Sequence, residues 1–234
     1  MKPEKITALL PMKEHSSRVP KKNTRELAGK PACHWVLESL SKVEEIDEIL
    51  VNTDSELIAD LVRSFEKVKV LERPDFLLGD AVSIQPLIEY DLSHAKNEHI
   101  LQTHSTNPAI TPATFSKAIE EYFENLDQHE TLFSVTPIKQ RFYYADGRPV
   151  NHDPDHLIQT QLLEPILHEN SCFYIFSKEN NKLRQNRLGK NPYMFYLNAL
   201  EAADIDEWED FLWAEFLLNR KENEKDDIHV PPIK

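Results

Sequence analysis

The chain has 234 residues, of which 40% are hydrophobic and 29% charged, with a formal net charge of −13; that balance excludes a disordered chain. No apolar run approaches the roughly 20 residues of a membrane span, and the apolar stretch 6–10 is too short for a secretory leader, so a cytoplasmic protein is expected. Cys33 and Cys172 are far apart and without paired spacing, which excludes a zinc motif or a disulfide framework.

The segment K-I-T-A-L-L-P (5–11) reads as a buried strand. A polar loop over 12–31 and a helix over 32–43 follow. E-I-L-V-N-T (48–53) predicts a second strand, and 55–65 a helix with Asp54 or Ser55 as its N-cap. A short strand is expected at 68–71, and a helix over 83–95 that tolerates Pro86 in its first turn. H-I-L-Q (99–102) is a strand, 114–125 a helix and T-L-F-S-V-T (131–136) another strand. This βαβα alternation predicts a doubly wound α/β fold with a mostly parallel sheet covered on both faces. The alternation lapses over 138–171, which holds Gly147, prolines and several histidines. An excursion of that length inside a compact domain is often functional: a lid, or an arm reaching a second subunit. C-F-Y-I-F (172–176) returns as a strand, 193–197 suits one more, and 207–218 an amphipathic closing helix. The expected organisation is one domain from 1–137 and 172–220, an inserted arm at 138–171, and a flexible tail at 221–234.

Ligands of open α/β sheets bind outside the carboxyl ends of the strands. After the first strand comes P-M-K-E-H-S-S-R-V-P-K-K-N (11–23), offering Lys13, Ser16, Ser17, Arg18, Lys21, Lys22 and Asn23. Such cations and hydroxyls in one loop suit a polyphosphate. The loop is neither a Walker A motif nor G-x-G-x-x-G, and it contains no glycine, so side chains must carry the binding. Residues 1–30 have a net charge of +5 within an acidic chain. That local patch suits a small, highly anionic ligand, and it lacks the broad basic face that nucleic acid needs. Asp54 reads as a helix cap. Gln102 can read a base edge or serve as a structural hydrogen-bonder. In Asp204-Ile205-Asp206, alternation on an extended segment puts both carboxylates on one side. The pair can hold Mg²⁺, and Asp206 can equally cap the following helix. His152 and His156 are separated by Pro154 and make a poor metal pair.

The string P-M-K-E-H-S-S-R-V-P-K-K-N-T-R-E-L-A-G-K-P resembles the opening motif of the cytidylyltransferases that activate acidic sugars, the acylneuraminate cytidylyltransferase (CMP-sialic acid synthetase) and CMP-Kdo synthetase family. Further segments resemble the family in the same order. They are V-N-T-D-S-E-L-I-A (51–59), L-E-R-P with L-L-G-D-A-V-S (71–83), I-L-Q-T-H-S-T-N-P (100–108), E-N-S-C-F-Y-I-F (169–176) and A-D-I-D-E-W-E-D-F-L-W-A-E (203–215). The resemblance implies a Rossmann-like, GT-A-like nucleotidyltransferase that transfers CMP from CTP to an acidic sugar such as a sialic acid-like nonulosonic acid. It implies catalytic roles for Lys13, Arg18, Lys22 and Asp206, and nucleotide contacts for Lys13, Ser16, Ser17, Asn23, Arg73, Ser83 and Gln102. It further implies Mg²⁺ on Asp204 and Asp206, and a homodimer joined through 138–171. Four departures stand out. Glu14-His15 replaces a Gly-Gly pair, so the approach to phosphate must differ, and Thr103-His104 stands where the family has Pro-Thr, which alters the nucleotide pocket. Lys13 replaces an arginine and so loses a bidentate fork, and Gln159-Thr160-Gln161 stands where the sialic-acid branch has R-R-Q, whose arginines help bind the acid. Another acidic acceptor, such as a Kdo-type sugar, or a non-catalytic nucleotide-binding dimer are the alternatives that these departures leave open.

Overall fold

The computed structural model describes residues 4–79 and 81–223. Seven strands form the main sheet: β1 (Ile6–Leu9), β4 (Ile46–Thr53), β5 (Val68–Glu72), β6 (His99–Thr103), β7 (Thr131–Ile138), β8 (Ile166–Ser177) and β9 (Pro192–Tyr196). Their order is β5-β4-β1-β6-β8-β7-β9. All neighbours are parallel except β8, which runs against both β6 and β7. The expected mostly parallel α/β sheet is therefore present, with one reversed strand inside it.

Helices cover both faces. On one, α1 (Ala32–Ser41), α2 (Glu56–Val62) and α4 (Pro112–Glu124) bury Val36, Leu37, Ile58, Phe115 and Ile119 against Ile6, Ala8, Ile49 and Leu101 of the sheet. On the other, α3 (Ile84–His94) sets Ile88 against Leu9, Leu50, Ile100, Tyr174 and Phe176. Adjacent strand residues thus go to opposite cores, as the two-residue period requires. A third apolar cluster joins Val19, Leu27 and Ala32 to Ile205, Phe211, Ala214 and Leu218, the last three from α6 (Trp208–Asn223).

Three elements differ from the sequence expectation. The loop over 12–31 contains a hairpin, β2 (Glu26–Leu27) with β3 (Lys30–Pro31). Ala28 and Gly29 turn it with φ of 46° and 85°, a left-handed pair that matches the twist of the strands. The strand expected at 172–176 begins at Ile166 and pairs with the far end of β7, so the irregular excursion shrinks to 139–165. A helix at α5 (Lys178–Arg184) was not foreseen, because K-E-N-N-K-L-R carries no apolar period; Ser177 caps it by accepting from Asn180 N–H. The closing helix runs on to Asn223, and the rest of the expected tail, 224–234, lies outside the described residues. No helix among the described residues is long and apolar enough to cross a membrane.

Candidate active site

The carboxyl end of β1 delivers the chain into the basic loop. Met12 bridges to Thr53 at the end of β4, and Asp54 Oδ1 accepts from Glu14 N–H at 3.0 Å. Asp54 therefore braces the loop, while Ser55 caps α2 by accepting from Ile58 N–H. Asn23 Nδ2 donates to the Lys13 carbonyl at 2.8 Å, drawing the two ends of the loop together. Ser16 is half-buried, and Lys13, Ser17 and Arg18 are exposed.

The Asp204-Ile205-Asp206 segment meets this loop across some 188 residues of chain. Arg18 Nη2 donates to Asp206 Oδ1 at 2.7 Å and Arg18 Nη1 to Glu207 Oε1 at 3.3 Å. Lys22 Nζ donates to the Ile205 carbonyl at 2.5 Å and stands 3.8 Å from Asp206 Oδ1. Arg18 and Asp206 are about half exposed, 52% and 48%. An ion pair that wet contributes roughly 1 kcal/mol or less. Val19 and Ile205, by contrast, are both fully buried in the third cluster, where each apolar side chain contributes about 1.5–3 kcal/mol. Apolar packing brings the two segments together; the charges are carried along.

The alternation expected of the acidic triplet holds, with Ile205 buried and the flanking carboxylates turned elsewhere. Asp206 does not cap α6. That role falls to Asp210, whose Oδ2 accepts from Asp206 N–H at 3.0 Å and Glu207 N–H at 2.8 Å, one half of a capping box. The Asp206 carboxylate is thereby left to the cations. Asp204 Oδ1 is buried without a hydrogen-bond partner. Burial, reinforced by the neighbouring Asp206 charge, pushes the Asp204 carboxyl above its ordinary range, against a hydrogen bond from Thr106. Burial also lowers the Lys22 ammonium, against the pull of Asp206 and Asp204. A buried orphan oxygen beside a second carboxylate is a donor set that suits a hard divalent cation.

The loop after β6 is the hub of the site. Ser105 Oγ donates to Asn23 Oδ1 at 2.6 Å, and Thr106 O accepts from Ile205 N–H at 2.9 Å. One turn of chain therefore ties the basic loop to the acidic triplet. Three expected contacts stand apart from this centre. Arg73 is committed to protein atoms, donating to Met12 O at 2.9 Å and to Asn52 Oδ1 and Asn52 O at 2.9 and 3.0 Å. Behind it, Asn52 Nδ2 donates to buried Asp91 at 2.6 Å. Ser83 sits exposed at the N-cap of α3 with no side-chain cap bond. Gln102 is fully buried; its Oε1 accepts from Arg187 Nη1, and its Nε2 lies 3.1 Å from His104 Nε2. Burial and the nearby Arg187 and Lys22 charges hold the His104 pKa down at about 4, so the ring is neutral near pH 7. His104 was singled out in the sequence only as a departure in the nucleotide pocket, and Arg187 was missed. The setting of Arg187 comes from packing between distant segments, and no local spacing marks it.

A family model described as cytidylyltransferase matches residues 7–222. The chain belongs to the cytidylyltransferase family. Among its relatives is an N-acylneuraminate cytidylyltransferase of Streptococcus agalactiae serotype III, 24% identical over 237 residues and covering 94% of this chain. The chain spans 56% of the length of that relative. A pseudaminic acid cytidylyltransferase of Campylobacter jejuni is 24% identical over 225 residues, covering 91% of this chain and 96% of the relative. Two solved structures share the fold. CMP:2-keto-3-deoxy-manno-octonic acid synthetase complexed with CTP superposes with a TM-score of 0.66 at 15% identity, over 93% of this chain and 100% of that one. A 4-diphosphocytidyl-2C-methyl-D-erythritol synthase of Anaerococcus prevotii gives 0.64 at 15% identity, over 93% and 97%. In this family member the basic loop and the acidic triplet meet beyond the carboxyl ends of β1 and β6, two interior strands of the sheet.

Proposed function

We propose that this cytidylyltransferase-family protein transfers CMP from CTP to a hydroxyl of an acidic, nonulosonic-type sugar and releases pyrophosphate. The observation that carries the proposal is the 2.7 Å contact of Arg18 with Asp206, which joins a polyphosphate-type loop to a cation-type carboxylate pair. Family membership and the acid-sugar activity in the names of the relatives support it.

The reaction is an in-line displacement at the α-phosphorus: the acceptor oxygen forms a new P–O bond as the bond to the β-phosphate oxygen breaks. The protein's contribution is positioning and charge neutralisation. Lys13, Arg18 and Lys22 take the charge that builds on the departing pyrophosphate, with Ser16, Ser17 and Asn23 lining the same loop. Asp204 and Asp206 would hold Mg²⁺, which when bound neutralises phosphate oxygens and orients them. The exposed Arg18–Asp206 pair is weak enough to open, which would free Arg18 for phosphate and leave the Asp206 carboxylate available to hold a cation with Asp204. The side of the sheet beyond β4, with Arg73 and Ser83, is the side proposed for the nucleoside. A homodimer joined through 139–165 is supported by the exposed Tyr143, Tyr144, Leu157, Ile158 and Leu162 of that segment.

The test is pyrophosphate release from CTP and Mg²⁺ with a panel of sialic acid-, pseudaminic acid- and Kdo-type acceptors. Release with at least one acid, dependent on that acid, is the expected result. CTP binding without release for any acid would reduce the protein to a nucleotide binder.

A further inference from the structure

Gln102 and Tyr174 face each other directly across the β6–β8 pair, on the α3 side of the sheet, where Tyr174 belongs to the apolar cluster and Leu188 packs on it. Arg187 comes from the loop after α5 and lies over this pair. Its guanidinium carbon sits 3.7 Å from the centre of the Tyr174 ring, and its Nη1 donates to Gln102 Oε1. That bond fixes which way the amide points, so the Gln102 N–H faces His104 Nε2, and the neutral ring accepts it. Arg187 is half-buried and forms no ion pair with any described carboxylate. The acid that acts on it, Glu169, is engaged by the Tyr174 hydroxyl at 2.5 Å.

A partly desolvated cation with no carboxylate in ion-pair contact is costly, and a ring face and a carboxamide offset only part of that cost. The full complement is an anion that arrives with a ligand. The position narrows which anion. The sheet extends to both sides of β1, and Arg187 stands on the β6–β8 side, away from Arg73 on the β4–β5 side. Its partner Gln102 touches His104, and the next residue, Ser105, donates to Asn23 Oδ1 of the phosphate-type loop, so its ligand would lie next to the reacting phosphate. A neutral pyrimidine offers a half-buried cation nothing to neutralise it; a carboxylate beside the attacking hydroxyl does, in the bidentate form that a guanidinium favours.

We propose that Arg187, held by Gln102 and Tyr174, binds the carboxylate of the acceptor acid and sets specificity for it. This rests on the proposed function and assigns Gln102 to the acceptor side and not to the cytosine.

The experiment compares wild type, Arg187→Ala and Arg187→Lys with the best acid from the panel and with its carboxamide analogue, and measures CTP affinity by calorimetry. Arg187→Ala is expected to raise the acceptor KM roughly 30-fold or more, with CTP affinity within about twofold of wild type. Arg187→Lys should recover part of the loss, since it keeps charge but not the fork. Wild type should prefer the acid over the amide strongly, and Arg187→Ala should lose that preference. Retained CTP binding shows that a variant is folded. An unchanged acceptor KM and an unchanged acid preference, or a loss confined to CTP affinity, overturns the inference while leaving the proposed function standing. Failure of wild type to turn over any acid overturns both.

Discussion

Asp206 and Asp204 differ by two positions and by environment. Asp206 is half exposed and faces two cations, whereas Asp204 has one oxygen buried without a partner. Asp206→Asn keeps the shape and removes the charge, so turnover should fall at least 100-fold with a circular dichroism spectrum like that of wild type. Activity within a few-fold of wild type would exclude the cation role. Asp91 poses a different question. It is 1% exposed, and burial raises its pKa to about 7, against Asn52 and the Arg73 charge. Between the ordinary carboxylate pKa and about 7 the folded state holds a proton that the unfolded chain has released, so this group's contribution to stability falls as pH rises through that window. Asp91→Asn should flatten the dependence and gain on wild type most above pH 7; urea melts of both proteins at pH 5, 6, 7 and 8 would display it. At this scale the sequence was legible where chemistry is local. The cation-rich loop and the alternating acidic triplet could be read from spacing. Arg187 could not, because its partner Gln102 lies 85 residues away.

Among the elements, α6 and the β2–β3 hairpin matter most to the site, because the cluster between them contains Val19 and Ile205. Ile205→Ala should cost about 2–4 kcal/mol of stability and should also weaken MgCTP binding, since Asp206 and the Lys22 contact move with that backbone. Asp210→Ala should cost about 1 kcal/mol through the lost cap; a larger loss of MgCTP affinity than of stability would show that the cap orders the triplet. The strands of the first half were readable because each is an apolar run with β-branched residues between polar breaks. The start of β8 was not, since I-L-H-E-N-S is only partly buried and its pairing with β7 is a long-range event. The hairpin was hidden by its Ala28-Gly29 turn, a weak signal next to Asn-Gly.

For the whole molecule, the alternation of strands and helices announced the α/β class, but the strand order and the reversal at β8 depended on contacts that no window of sequence contains. The segment 139–165 exposes large apolar side chains, which in water favours self-association. Leu157→Asp with Leu162→Asp should shift a dimer to monomer in sedimentation; a wild-type monomer would remove that proposal. The reversal at β8 has a consequence for how such a protein can change. The four strands on one side of the sheet come from residues 6–103, and the three on the other from residues 131–196. Each half is one uninterrupted stretch of polypeptide. The second stretch could therefore be exchanged for that of a relative with the β5-β4-β1-β6 half kept whole, provided the β6–β8 pairing, the Phe115–Phe173 contact and the return of α6 onto Val19 and Leu27 are all re-matched.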